Sequence, residues 1–169
     1  MPAKWPWFER KFDFGFPVEK HPDVIERLRG APVRIEEMVH SYAPGILTRR
    51  TGDTWSIQEN VGHLLDVEPL WAGRVEDILG GAEVMRPADL TNRATHDADH
   101  NSASIDALMQ SFRTVRHRFV ARLEELDTTA FGRSSKHPRL EQPMRVVDLC
   151  LFVAEHDDYH LARMTELAQ

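Results

Sequence analysis

His156 and His160 stand four residues apart, a spacing that puts two side chains on one helix face with Cβ atoms about 6 Å from each other. Both imidazoles can then reach one divalent ion at the ~2.0–2.1 Å of a zinc–nitrogen bond. Such pairs also arise by accident on exposed faces. This one interrupts an otherwise apolar seam of Leu149, Val153, Met164 and Leu167. An imidazole in such a seam needs partners for its nitrogens, and a charged one is costly. A metal ion supplies the partner. The third ligand is sought on another inward-facing helix, where His63 shares its face with Val67, Leu70, Trp71 and Ile78. Three neutral nitrogens leave a fourth position open, as catalytic sites do and closed structural sites do not. Zinc is the first choice for this donor set, and nickel or iron can occupy the same nitrogens.

Residues near the ligands follow from the helical angle. Glu59 and Asn60, about one turn before His63, are the candidates to accept the proton of its outer ring nitrogen and fix its tautomer, although Glu59 also belongs to a capping signal. Asp157 and Asp158 rotate away from the ligand face, toward an arginine such as Arg163 or Arg74. His96 and His100 are also four apart but fall in a polar stretch and read as solvated. His40 closes a Glu37-x-x-His motif, yet a di-iron bundle needs a second such motif and further inward glutamates. The His-Glu-x-x-His pattern of zinc proteases does not occur. The only cysteine, Cys150, lies between Leu149 and Leu151 and reads as a small core residue.

The elements that position these residues are helical. Pro22 opens a short helix that Gly30 ends, and Pro32 opens the next, with Ile35, Met38, Val39 and Tyr42 on one face. Ser56 with Glu59 forms a capping box ahead of an apolar run that reaches Leu79, bent at Pro69. A third helix starts near Ser102 or Ser104 and carries Ile105, Leu108, Phe112, Val115, Phe119, Leu123 and Leu126 on a narrow seam. Pro143 opens the fourth, which runs to Leu167. No alternating run suggests a strand. The fold class is therefore all-α, a four-helix bundle. The depths of His63 and of the His156–His160 pair match if their two helices are antiparallel. The long 80–100 connection then leaves helices two and three parallel, giving an up-down-down-up order.

Composition limits the function. The 169 residues suffice for one core, and 27 acidic against 21 basic residues give a net charge of −6. Nucleic acid is not an expected partner, because Arg113, Arg116, Arg118 and Arg122 diverge around one helix as a solvated face instead of forming a phosphate stripe. No apolar run is long enough to span a membrane, and the N-terminus lacks a signal-peptide pattern, so a cytoplasmic location is expected. Residues 1–20 carry Trp5, Trp7, Phe8, Phe12, Phe14 and Phe16 broken by Pro6 and Pro17, an aromatic arm expected to dock on the 21–169 bundle or a partner subunit.

The stretch Trp55 to Asp66, with its Gly62-His63-Leu64-Leu65-Asp66 end, and the stretch Glu155-His156-Asp157-Asp158-Tyr159-His160 together resemble the DinB-like superfamily, which includes bacillithiol and mycothiol transferases. The resemblance covers about residues 22–168. It implies a metal-binding four-helix bundle of up-down-down-up topology in which His63, His156 and His160 hold a divalent ion, commonly as a homodimer. It also implies activation of a low-molecular-weight thiol cosubstrate for S-transfer to a small electrophilic molecule. A metal-dependent hydrolase that activates water, and a non-catalytic metal-binding bundle, are the alternatives. Many relatives have a histidine where this chain has Tyr159, a change in a pocket wall that leaves the three ligands intact.

Overall fold

Ser56 and Glu59 cap a helix as their spacing predicts: Ser56 Oγ accepts from the Glu59 amide at 3.1 Å, and Glu59 Oε2 accepts from the Ser56 amide at 2.8 Å. The computed structural model describes residues 5–169, so residues 1–4 of the aromatic arm lie outside the described residues. In chain order the helices are α1 (His21–His40), α2 (Pro44–Leu47), α3 (Ile57–Asp66), α4 (Glu68–Leu79), α5 (Arg93–Asp97), α6 (Ile105–Glu124), α7 (Thr128–Phe131) and α8 (Val146–Leu167). Two strands, β1 (Ser134–Lys136) and β2 (Pro143–Arg145), lie between α7 and α8.

Side-chain pairs give the helix directions. Glu36 meets Arg113, His40 meets Asp106 and Arg29 meets Glu124, so α1 and α6 are antiparallel. Asn60 meets His160 while Trp71 lies 5.5 Å from His156, so the α3–α4 run opposes α8. Glu68 and Glu76 meet Arg116 and Arg122, so that run is parallel to α6. The bundle is up-down-down-up, with α3–α4 counted as one member. Pro69 has no amide for the carbonyl of Leu65, and the run divides at Val67, whose backbone stays right-handed helical (φ −89°, ψ −8°) and keeps the two segments in series.

Four local expectations need correction. The expected pair of short helices around Gly30 is one continuous helix, α1, with Pro32 inside it. Pro32 leaves the carbonyl of Leu28 without its helical donor, and Arg116 Nη1 donates to that oxygen at 3.2 Å. A distant arginine thus repairs what the local sequence breaks. Pro143 does not open the last helix but sits in β2 opposite Lys136. α8 starts three residues later, where Asp148 Oδ2 accepts from the Arg145 amide at 2.8 Å. The hairpin itself was not expected, because three-residue strands are too short to show alternation. Finally, the 80–100 connection is not featureless: Met85 and Lys136 pair through the backbone, and α5 folds back on α3.

Trp7 is buried, with ring centroids 5.5 Å from Phe12, 5.0 Å from Phe152 and 5.0 Å from His156. Phe12, Phe14 and Phe16 are partly buried against the same core, and Arg145 Nη2 donates to the carbonyls of Phe14 and Phe16. Truncating a buried tryptophan costs about 3–5 kcal/mol, and each kcal/mol moves the melting temperature by roughly 2–4 °C at this size. Deleting residues 1–16 is therefore expected to lower the melting temperature by roughly 6–20 °C. Equal melting of the truncated and full chains would show that the arm adds nothing to stability.

Candidate metal centre

α3 contributes His63 and α8 contributes His156 and His160, one turn apart, at the level where the antiparallel helices face each other. All three are buried, and one potential ligand atom from each lies within 4.8 Å of the other two. Ring centroids are 5.4 Å (His63–His156), 4.8 Å (His63–His160) and 4.6 Å (His156–His160).

Hydrogen bonds set the tautomers. His160 Nδ1 lies 2.8 Å from Asn60 Oδ1, which can only accept, so Nδ1 carries a proton and the lone pair of the neutral ring falls on Nε2. His63 Nδ1 donates to Thr95 Oγ1 at 3.1 Å, and Thr95 in turn donates to Asp66 Oδ2 at 2.8 Å. His63 Nε2 therefore also carries a lone pair. The Nδ1 of His156 is buried and has no hydrogen-bond partner among the described residues. Burial pushes the pKa of His63 down to about 4 and that of His156 well below the usual imidazole value, so both rings are neutral at pH 7. Three buried imidazoles, two of them neutral at pH 7 and one bearing an orphaned buried nitrogen, suit a divalent cation.

The cluster opens into a cavity of about 720 Å³ lined by Trp7, Trp55, Leu70, Trp71, Phe152 and Tyr159 among others. This volume lies within the range of small-molecule sites. Trp55 stands 4.8 Å from His63, and Tyr159 stands 5.2 Å from His160. The acids on the cavity wall accept hydrogen bonds from the fold. Asp66 accepts from Thr95 and faces His100, and Asp89 accepts from Thr91 and the Arg93 amide.

A family model described as the DinB superfamily matches residues 27–164. The chain belongs to the DinB superfamily. Among solved structures, YfiT from Bacillus subtilis, described as a probable metal-dependent hydrolase with an unusual four-helix bundle topology, is similar at TM-score 0.78 and 23% identity. The match covers 94% of this chain and 91% of that one. No curated protein matches the chain. The comparisons agree with the all-α bundle read from the sequence, and the three histidines form a cluster capable of holding one metal ion in this DinB-superfamily fold.

The neighbours of the cluster differ in part from expectation. Asn60 contacts His160, not His63. Glu59 is taken by the cap and by Arg50. The partner of His63 is Thr95 on α5, in the stretch where no element was expected, and His100 is not solvated but buried with Nε2 2.8 Å from Asp66 Oδ2. Asp157 and Asp158 pair with Arg116 and with Arg27 and Arg34, not with Arg163 or Arg74. Gly62 was the available signal for His100. A glycine inside a strong helical pattern marks a close approach, and a Cβ at this position would overlap the His100 ring. Gly62→Ala is accordingly expected to displace His100, loosen Asp66 and Thr95, and weaken metal affinity about 10–100-fold while helicity is kept. Competition with a chromophoric chelator, alongside circular dichroism, measures both.

Proposed function

We propose that the protein is a divalent-metal-dependent enzyme for a small molecule, with His63, His156 and His160 holding the ion, zinc by preference and nickel or iron as alternatives. The reaction we favour is S-transfer from a low-molecular-weight thiol to a small electrophile. Bound at these nitrogens, the ion supplies Lewis acidity that favours the thiolate form of a coordinated thiol at neutral pH. The carrying observation is the buried histidine cluster opening on a mostly apolar cavity whose wall acids, Asp66 and Asp89, accept hydrogen bonds from Thr95 and from Thr91 and the Arg93 amide. A thiol acidified in this way needs no separate general base, whereas hydrolysis commonly uses a carboxylate to direct water. Trp7, Trp55 and Trp71 line the cavity around the cluster, and Asn60 and Thr95 accept from the Nδ1 of two of its rings.

The second reading, hydrolysis, is favoured by the description of YfiT. Cobalt-substituted protein separates them. Its visible spectrum is expected to change with at least one of glutathione, bacillithiol, mycothiol and cysteine, and the zinc protein is expected to accelerate conjugation of a generic electrophile with that thiol. An unchanged spectrum throughout, with turnover of an ester, amide or phosphate instead, moves hydrolysis ahead. Absence of all turnover from a metal-loaded protein leaves a non-catalytic bundle. Among the described residues no helix is long and apolar enough to cross a membrane. A cytoplasmic homodimer completes the proposal, with exposed Trp5 and Phe8 supplying apolar surface and mass in solution as its check.

A further inference from the structure

Arg74 is 2% exposed, yet no carboxylate among the described residues binds it. It stands eleven residues beyond His63 on the same helical run, about 16 Å along the axis at 1.5 Å per residue. Its Nε donates to the carbonyl of Arg86 at 3.1 Å, its Nη1 lies 3.0 Å from His137 Nε2, and its Nη2 has no partner among the described residues. Asp77, the acid whose charge acts on it, is engaged by Arg86 through both oxygens. Arg139 faces the same space with a buried Nη2 that has no partner among the described residues, and Arg74, His137 and Arg139 all line the cavity that holds the histidine cluster.

His137 adds to the surplus of donors. Its Nδ1 accepts from the amides of Arg139 at 3.2 Å and Leu140 at 3.1 Å, so the proton of the neutral ring is on Nε2. Nε2–H then points at an Arg74 N–H, donor against donor. The burial of His137 and the charges of Arg74 and Arg139 hold its pKa down to about 3, so the ring is neutral. Arg74 is itself pushed down to about 10, by burial first and then by Arg139. Arg116 in the same bundle, by contrast, is buried with two carboxylates. A buried guanidinium with a single carbonyl acceptor and no counter-charge is unfavourable unless a ligand brings one.

We propose that Arg74, His137 and Arg139 form a binding site for an anionic group, a carboxylate or a phosphate, on the substrate whose reacting end lies at the histidine cluster. Trp71 and Phe152 connect the two ends: Trp71 is 5.5 Å from His156 and 5.6 Å from the Arg74 guanidinium, and Phe152 is 5.3 Å from His137. The substrate class is then a small molecule with an anionic end and an apolar middle. This rests on reading the cavity as the substrate pocket, and is independent of which nucleophile acts.

The test uses chelator-treated protein, so that no metal competes for the anion. Dissociation constants are measured by ligand-observed NMR for 3-phenylpropionate, its uncharged amide, and phenyl phosphate. At least one anion is expected to bind tenfold or more tightly than the amide, the stronger of the two naming carboxylate or phosphate. Arg74→Met is expected to abolish that advantage and Arg139→Gln to reduce it, with the melting temperature of Arg74→Met no lower than the parent's. No anion advantage in the parent, or an advantage that survives both changes, overturns the proposal. So does a large fall in the melting temperature of Arg74→Met, which would assign the side chain to the fold. Metal content of Arg74→Met, expected unchanged at about one ion per chain, reports separately on the histidine cluster.

Discussion

Replacing His156 and His160 together with alanine is expected to lower bound metal from about one ion per chain to less than a tenth of that, because a single histidine remains from a three-nitrogen set. The rings lie side by side on α8 with inward access, and removing both leaves the antiparallel partner His63 without a second ligand from the facing helix. His96 is the control. It is exposed, and its ring meets the edge of Trp55 at 5.7 Å, so His96→Ala should keep the ion. Metal analysis of untagged protein distinguishes the outcomes, and unchanged content in the double variant would exclude this cluster as the site.

Protons sharpen the same expectation. The folded pKa of His63 lies at about 4, below the ordinary value of 6.5, because burial disfavours the charged ring. Between those values the unfolded chain binds a proton that the folded chain refuses. Stability of the metal-free protein therefore falls as pH drops from about 6.5 to 4, and His63 adds no further pH dependence above that window. His156 acts in the same direction. Metal-loaded protein should retain its ion well into this window, since His63 and His156 hold their lone pairs against protons that would displace a metal from exposed histidines.

The features legible in the sequence were those fixed by local spacing. His156 and His160 on one face, the Ser56–Glu59 cap and the seams of α6 and α8 all express a 3.6-residue period, and matching depth along two helices was enough to add His63. What escaped was set by residues far apart in the chain. Thr95 reaches His63 from a short helix whose polar residues carry no periodic signal, and Asn60 turned to the facing helix instead of along its own. α1 passed through Pro32 because Arg116, 84 positions further on, supplies a donor to Leu28. Reading Arg116 as solvated failed for the same reason: its charge made burial look unfavourable, and the two acids that compensate it are 48 and 41 positions away.

Arg116→Met is accordingly expected to destabilise the protein by about 3–5 kcal/mol, the usual effect of removing one partner from a buried ion cluster. At this chain length that is a fall of roughly 6–20 °C in melting temperature. Arg116 and both its acids are fully buried. Nε and Nη2 donate to Glu68 Oε1 at 3.0 and 2.6 Å, Nη1 and Nη2 donate to Asp157 at 2.5 and 3.1 Å, and Nη1 also serves the carbonyl of Leu28. Methionine preserves much of the apolar stem but leaves two carboxyls, both pushed up by burial, without their cation and leaves the Leu28 carbonyl without its donor. Adding Glu68→Gln and Asp157→Asn should recover part of the loss, because neutral amides no longer need a counter-charge. The carbonyl of Leu28 stays unsatisfied in the triple variant, so the remaining deficit contains what Arg116 does for α1 at Pro32 together with lost packing. A triple variant as unstable as Arg116→Met would place the effect in that carbonyl and in packing. An Arg116→Met protein that melts with the parent would mean that the ion cluster adds no net stability and that α1 crosses its proline on packing alone.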